Sequence, residues 1–226
     1  LWSPSGEIKE DRPLTEEVPV VLEYNCVTFA VMMASPSDLV DFSYGFSLTE
    51  GIIEKESDII YSQIKDAPKG KIAAIEINAQ AFYRLEKYNR TLSGRTGCGL
   101  CGVDKLEHAI KDLPKITSDF KINANLIHNA MNSLKSQQHL NKETGALHAA
   151  AFADHTGHII AIREDVGRHN ALDKLIGHLI RNNIDPQMVL HLSQAVVALK
   201  WFKNVLYLEF LSSPPYLRLR VLPFLL

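Results

Sequence analysis

Two cysteines, Cys98 and Cys101, sit in the stretch "RTGCGLCG" at residues 95–102. The window 94–102 holds four of the chain's 12 glycines and two of its three cysteines. Thiol chemistry needs a lowered pKa and an accessible sulfur. Gly97 and Gly99 flank Cys98, so the backbone there is free to take positive φ and no neighbouring side chain shields the thiol. Arg95 adds a nearby cation. A helix expected from Val103, with Leu106, Ile110 and Leu113 on one face, would aim its N-terminal dipole at Cys101. Four readings compete: a tight turn with incidental thiols, a structural zinc site, a redox dithiol and a nucleophilic sulfur carrier. Zinc wants four nitrogen or sulfur ligands. Only Cys26 remains as a further thiol and no histidine pair stands at finger spacing, so no structural metal is expected. A thioredoxin-type pair opens a helix directly after a strand, among bulky residues, whereas this one lies in glycine.

A second constellation is "REDVGRHN", Arg163–Asn170. It leaves a strand and opens a helix, the place where open α/β sheets bind ligands. Arg168 and His169 on the first helical turn suit phosphate or carboxylate beside free backbone N–H groups. Glu164 and Asp165 would repel an anion there, and suit helix capping, ribose hydroxyls, a guanine edge or proton transfer instead. Gly167 and Asn170 complete the candidate set with Arg163. The alternative is an N-cap at Asp165 with the rest a solvated face. A third feature, "ALHAAAFAD", sets His148 before three alanines in the manner of a zinc deaminase. Position 150 is Ala150 where that chemistry needs a glutamate, and the cysteine pair precedes the histidine, so deamination is not expected. Cys26 reads as a small buried hydrophobe, and the other histidines as surface or packing residues.

The elements that must hold these groups are partly legible. Runs 18–24 and 27–33 form a hairpin about Asn25. "SPSD" offers Ser35 as N-cap, Pro36 as first helical residue and Asp38 as third, with Leu39, Phe42 and Phe46 on one face and Gly51 as the stop. Short strands follow at 58–64 and 71–77, then a helix over 125–140 and a loop at 141–145. "ALHAAAFAD" and "HIIAI" pair as a hairpin across "HTG". Strand 158–162, a helix with Leu172, Leu175, Ile176 and Leu179 on one face, and strand 188–193 make a βαβ unit whose strands run parallel.

Composition bounds the rest. The 226 residues are 46% hydrophobic and 22% charged, within the globular range, and suffice for one large or two small domains. A net charge of −2 argues against a nucleic-acid-coating role. The first ten residues lack the basic and apolar regions of a signal peptide. The longest uncharged run, Pro186–Leu199, falls short of the ~20 residues of a membrane span. A cytoplasmic protein is expected, without membrane or nucleic-acid partners, and there a CxxC points to redox, metal or sulfur chemistry.

Four stretches, "GFSLTEGII" (45–53), "RTGCGLCG", "TGALHAAAF" (144–152) and "REDVGRHNALDKLIG" (163–177), together closely resemble the FdhD family of formate dehydrogenase accessory sulfurtransferases. The likeness runs from about residue 10 to Ser193. It implies a mixed α/β fold: a cytidine-deaminase-like three-layer sandwich over 103–226, a smaller β-rich N-terminal region over 1–93 and a mobile loop at 94–102 between them. It implies a homodimer that takes persulfide sulfur from a cysteine desulfurase and passes it to the molybdenum (or tungsten) bis-guanylyl-pterin cofactor of apo formate dehydrogenase. By this resemblance Cys98 is the carrier and Cys101 its helper. The strand-end group of Arg163, Glu164, Asp165, Gly167, Arg168, His169 and Asn170, with His148, Arg95, Gly97 and Gly99, would face the guanine-bearing acceptor. A dithiol oxidoreductase and a cofactor chaperone without covalent sulfur are the alternatives. From Ser193 the chain departs from the family pattern: "QAVVALKW" stands in place of a Gly-Arg pair, and the apolar tail from about 195 carries no assigned binding residue.

Overall fold

The structure, a computed structural model, describes residues 2–3, 6–7, 13–92, 124–154, 156–184 and 190–193. Strands β1 (Trp2–Ser3) and β2 (Gly6–Glu7) form a minimal antiparallel pair. A four-stranded sheet follows, ordered β4-β3-β6-β5. It joins two antiparallel hairpins, β3 (Val18–Tyr24) with β4 (Val27–Ala34) and β5 (Ile59–Ala67) with β6 (Gly70–Ile77), through a parallel β3–β6 contact.

The first hairpin turns on Asn25 and Cys26, whose φ angles of 47° and 65° give a two-residue loop with both residues left-handed, the form that matches strand twist. Asn25 does more than turn. Its side-chain amide donates to the Ile77 carbonyl at 3.1 Å and its Oδ1 accepts from the Ile77 N–H at 2.8 Å, tying the hairpin tip to β6. Cys26 is exposed at that tip, which corrects the expectation of a buried residue. The turn geometry pushes it outward, and burial preference cannot override a two-residue loop. Cys26→Gly is expected to raise stability by about 0.5–1 kcal/mol, because glycine takes this φ without a Cβ penalty. Urea denaturation measures it, and an unchanged or lower midpoint would contradict the account.

One face of this sheet buries Val20, Leu22, Tyr24, Ala73, Ile75 and Ile77 against Leu39, Phe42 and Phe46 of helix α1 (Leu39–Thr49). Helix α2 (Ala79–Leu92) adds Ala81 and Leu85 to the same core. The sequence places the start of α1 at Ser35–Pro36, yet it begins at Leu39 after a left-handed Asp38 (φ 53°) that makes no side-chain cap. The reason is that the Ser35 amide and hydroxyl are bonded elsewhere, to Asp165. The other end follows expectation. Gly51 (φ 77°) donates to the Leu48 carbonyl at 3.0 Å and Ile52 to that of Ser47 at 2.9 Å, the paired bonds of a Schellman stop.

The second sheet is ordered β8-β7-β9, from β7 (His148–Ala153), β8 (Ile159–Asp165) and β9 (Leu190–Ser193). Four of the six residues of its central strand are alanine, which lets helices approach closely on both sides. Ala149, Ala151 and Ala153 pack on Ala130 and Leu134 of α3 (Ala124–Gln137). Ala150 and Phe152 pack on Ala171, Leu172, Leu175, Ile176 and Leu179 of α5 (Arg168–Arg181). A helix–sheet–helix sandwich results. The short helix α4 (His139–Thr144) occupies part of the expected 141–145 loop. β7 runs antiparallel to both neighbours, so β8 and β9 are parallel, as the βαβ pattern requires, but β7 lies between them.

Helices α1 and α5 join the two halves, and their backbones nearly touch. A Cβ on Gly45 would lie 1.7 Å from the Asp173 carbonyl oxygen, and one on Gly177 would lie 1.8 Å from that of Asp41.

Candidate functional site

Cys98, Cys101, Arg95, Gly97 and Gly99 lie outside the described residues, as do the helix expected from Val103 and the tail from about 195. The strand-end run is fully placed. Strand β8 continues through Arg163, Glu164 and Asp165 rather than ending at Ile162, and α5 opens at Arg168 behind a Gly167 cap. His148 pairs in register with Asp165, so the first residue of β7 stands at the same sheet end as the α5 turn. The structure thus places half-buried His148, exposed Arg168 and half-buried His169 at one end of this sheet.

Several polar groups of the run bond within the chain. Five donors converge on the fully buried Asp165 carboxylate. Oδ1 accepts from the Gly167 amide at 2.7 Å and Asn170 Nδ2 at 3.1 Å. Oδ2 accepts from the Ser35 amide at 3.0 Å, the Ser35 hydroxyl at 2.8 Å and Lys174 Nζ at 2.6 Å. Lys174 also donates to the Ser35 carbonyl and Oγ at 3.0 and 3.1 Å, so all three of its protons have acceptors. Burial pushes the Lys174 pKa down, while the adjoining Asp165 favours the charged form. Asn170 spans further, donating to the Met33 carbonyl at 2.7 Å. Glu164 accepts the Leu140 and Asn141 amides at 3.0 and 2.9 Å, so the acid read as a cap does cap a helix, but it is α4 and not the one it precedes.

Arg163 turns to the α1–α5 seam. Its Nε and Nη2 donate to Asp41 Oδ2 at 2.8 and 2.7 Å, and Arg181 bonds the other Asp41 oxygen. Arg163 Nη2 also lies 2.6 Å from His178 Nδ1. A guanidinium only donates, so Nδ1 must be the unprotonated acceptor and His178 is neutral. Burial first, and then the Arg163 charge, hold the His178 pKa below its usual 6.5, against Asp41 and Asp38, which raise it. The folded state therefore binds fewer protons than the unfolded one. The stabilisation is present above about pH 6.5 and is lost as pH falls through the lowered pKa. His178→Gln keeps an acceptor for Arg163, and the wild-type minus variant difference in stability should shrink as pH drops from 7.5 to 5. A pH-independent difference would show that His178 does not titrate this seam.

Sequence reasoning missed Ser35, Asp41, Asp173 and Lys174. Helix α5 has two buried faces, and the apolar one toward β7 masked the other. Asn170, Lys174, Gly177 and Arg181 recur at three- and four-residue spacing. The first two meet Met33, Ser35 and Asp165 ahead of α1 and the last two meet Asp41 of α1, while Asp173 also accepts from the Thr49 hydroxyl at 2.9 Å. A lysine and a glycine aligned on one helical stripe were the available signal.

Taken together, these features define a mixed α/β protein: two sheets bridged by a close helix pair, with a polar strand-to-helix turn at one sheet end. A crystal structure from Desulfotalea psychrophila, assigned as a formate dehydrogenase accessory protein, shares this fold with a TM-score of 0.58, covering 86% of this chain and 70% of that one at 19% identity. The FdhD/NarQ family profile matches residues 15–195. Similar proteins include the sulfur carrier protein FdhD of Bordetella petrii, 43% identical over 192 residues (84% of this chain, 69% of the relative). That of Cupriavidus necator is 46% identical over 172 residues (76% and 60%). The chain belongs to the FdhD/NarQ family. It spans 60% to 69% of the length of these two relatives. Among the described residues no helix is long and apolar enough to cross a membrane.

Proposed function

We propose that this protein relays sulfur for the maturation of a formate dehydrogenase. The observation that carries the reading is the span of the family match. Residues 15–195 include the Gly/Cys loop, and the similar proteins carry the name sulfur carrier. The Cys98 thiolate attacks the terminal sulfur of a cysteine desulfurase persulfide. A bond forms between Cys98 Sγ and that sulfur, the donor's S–S bond breaks, and the donor cysteine leaves as thiolate. Cys101 then attacks Cys98 Sγ. The sulfane sulfur departs as hydrosulfide to the acceptor, the two cysteines are left as a disulfide, and a low-molecular-weight thiol reduces it. The two electrons that the sulfur gains are those the cysteine pair loses.

The acceptor, and so the substrate of the relay, is the bis-guanylyl-pterin cofactor of the molybdenum or tungsten enzyme. Its phosphates suit the first turn of α5, where Arg168 and His169 lie at the same sheet end as His148, with helix N–H groups that favour anions. The cytoplasm, a homodimer, and docking to desulfurase and apo-dehydrogenase complete the proposal.

Intact-mass measurement after incubation with a cysteine desulfurase and cysteine tests it. Wild type should gain one reducible sulfur atom, Cys98→Ala none, and Cys101→Ala should keep the sulfur without releasing it. Formation of an intramolecular disulfide with no sulfur gain would replace the relay by a dithiol oxidoreductase. Cofactor binding retained with both cysteines changed, and no sulfur gain in wild type, would make the protein a chaperone.

A further inference from the structure

Lys174 is fully buried in a helix that also buries Asn170 and Asp173, and it reaches the end of a strand from the other half of the molecule. Cohesion between the halves has other sources, namely the Gly45–Gly177 contact and the Asp41 ion pairs. The Asp165 carboxylate divides its two oxygens sharply. Among the described residues Oδ2 takes only Ser35 and Lys174, while Oδ1 takes only the α5 turn, through the Gly167 amide and Asn170. It is a short rigid bar between an anchor and the turn bearing Arg168 and His169.

We propose that Ser35 and Lys174 are positioning residues for the turn Gly167–His169, acting through Asp165 to fix the surface that takes the phosphate end of the sulfur acceptor. This rests on the placement of that acceptor at Arg168 and His169. Removing the Ser35 hydroxyl takes one of three donors from Oδ2 and one acceptor from Lys174. The carboxylate then swings toward the ammonium, and its other oxygen drags the Gly167 amide out of line.

Guanosine diphosphate is the probe, titrated by calorimetry well below each variant's melting temperature. Arg168→Ala, the contact control, and Ser35→Ala should each weaken binding about tenfold, whereas Ser35→Thr, which restores the hydroxyl, should stay within about twofold of wild type. Lys174→Gln keeps a donor to Asp165 without the charge and should lose about as much as Ser35→Ala, which supplies a second variant if one fails to fold. Wild-type affinity in folded Ser35→Ala or Lys174→Gln, with only the melting temperature lowered, would overturn the proposal and leave the network a structural tie. No nucleotide binding by wild type, or equal binding by Arg168→Ala, would instead remove the acceptor from this turn and take the proposal with it.

Discussion

Gly177→Ala is expected to destabilise the protein by about 3–5 kcal/mol, enough to unfold a marginal domain. Two effects oppose each other at this position. Inside a helix alanine is favoured over glycine by about 1 kcal/mol. Here, however, the added methyl would stand 1.8 Å from the Asp41 carbonyl oxygen, 2.6 Å from its carbon and 2.8 Å from the Gly45 amide nitrogen. Those atoms are backbone of a packed helix and cannot swing aside. The helices must part by more than about 1 Å to reach ordinary contact, which forfeits dispersion along the whole seam. Parting also stretches the Asp41 bonds to Arg163 and the Thr49–Asp173 bond. The clash wins. Gly45→Ala meets the mirror-image obstacle, the Asp173 carbonyl at 1.7 Å, and should behave alike. Gly51→Ala is the comparison, since no heavy atom lies within 4 Å of its Cβ and only the left-handed φ of 77° opposes it, for about 1 kcal/mol. Urea denaturation of the three variants decides. If Gly177→Ala loses no more than Gly51→Ala, the helices are not locked by backbone contact.

Asp165→Asn should cost nearly as much, about 3–5 kcal/mol, although the two side chains have the same shape. Among the described residues, every hydrogen-bond partner of the carboxylate is a donor, two on Oδ1 and three on Oδ2. An amide offers one acceptor oxygen, so its NH₂ must point into a set of donors whichever way it is flipped. Lys174 is left buried beside a neutral group, with its charge uncompensated. An apolar double replacement, Asp165→Leu with Lys174→Met, removes both charges and should fall less than Asp165→Asn alone, because most of the cost lies in a stranded ion rather than in the lost pair. Denaturation midpoints of the two variants separate these. A midpoint for Asp165→Asn within about 1 kcal/mol of wild type would mean that a water or a rotated side chain supplies the missing acceptor.

What was legible in the sequence was what neighbours in the chain decide. Asn25 marked its hairpin, Gly51 marked the end of α1, and the apolar spacing of Leu172, Leu175, Ile176 and Leu179 marked the face of α5 that meets β7. The alanines of β7 lay between turn residues that bounded a strand. Each depends on φ preference or side-chain period over a few residues, and the structure agrees within a few positions. The sequence string from Arg163 to Asn170 also announced that polar groups gather at a strand-to-helix turn.

Where each of those groups points was decided only in three dimensions. Ser35 reads as a helix cap because its own neighbours favour one, but an aspartate 130 positions away takes both its amide and its hydroxyl. Asp41 lies four helical residues from the glycine that lets α5 approach, and its partners Arg163 and Arg181 are 122 and 140 residues distant. Asp165 and Glu164, adjacent in the chain, serve different helices because successive strand residues face opposite sides of the sheet. The parallel sense of β8 and β9 followed from the βαβ pattern, yet the strand between them arrives by hairpin from earlier in the chain. Local sequence sets the types of groups available and the period on which they recur. Which donors meet which acceptors is set by helix and sheet packing, since a buried charge is stable only where tertiary structure delivers its partners.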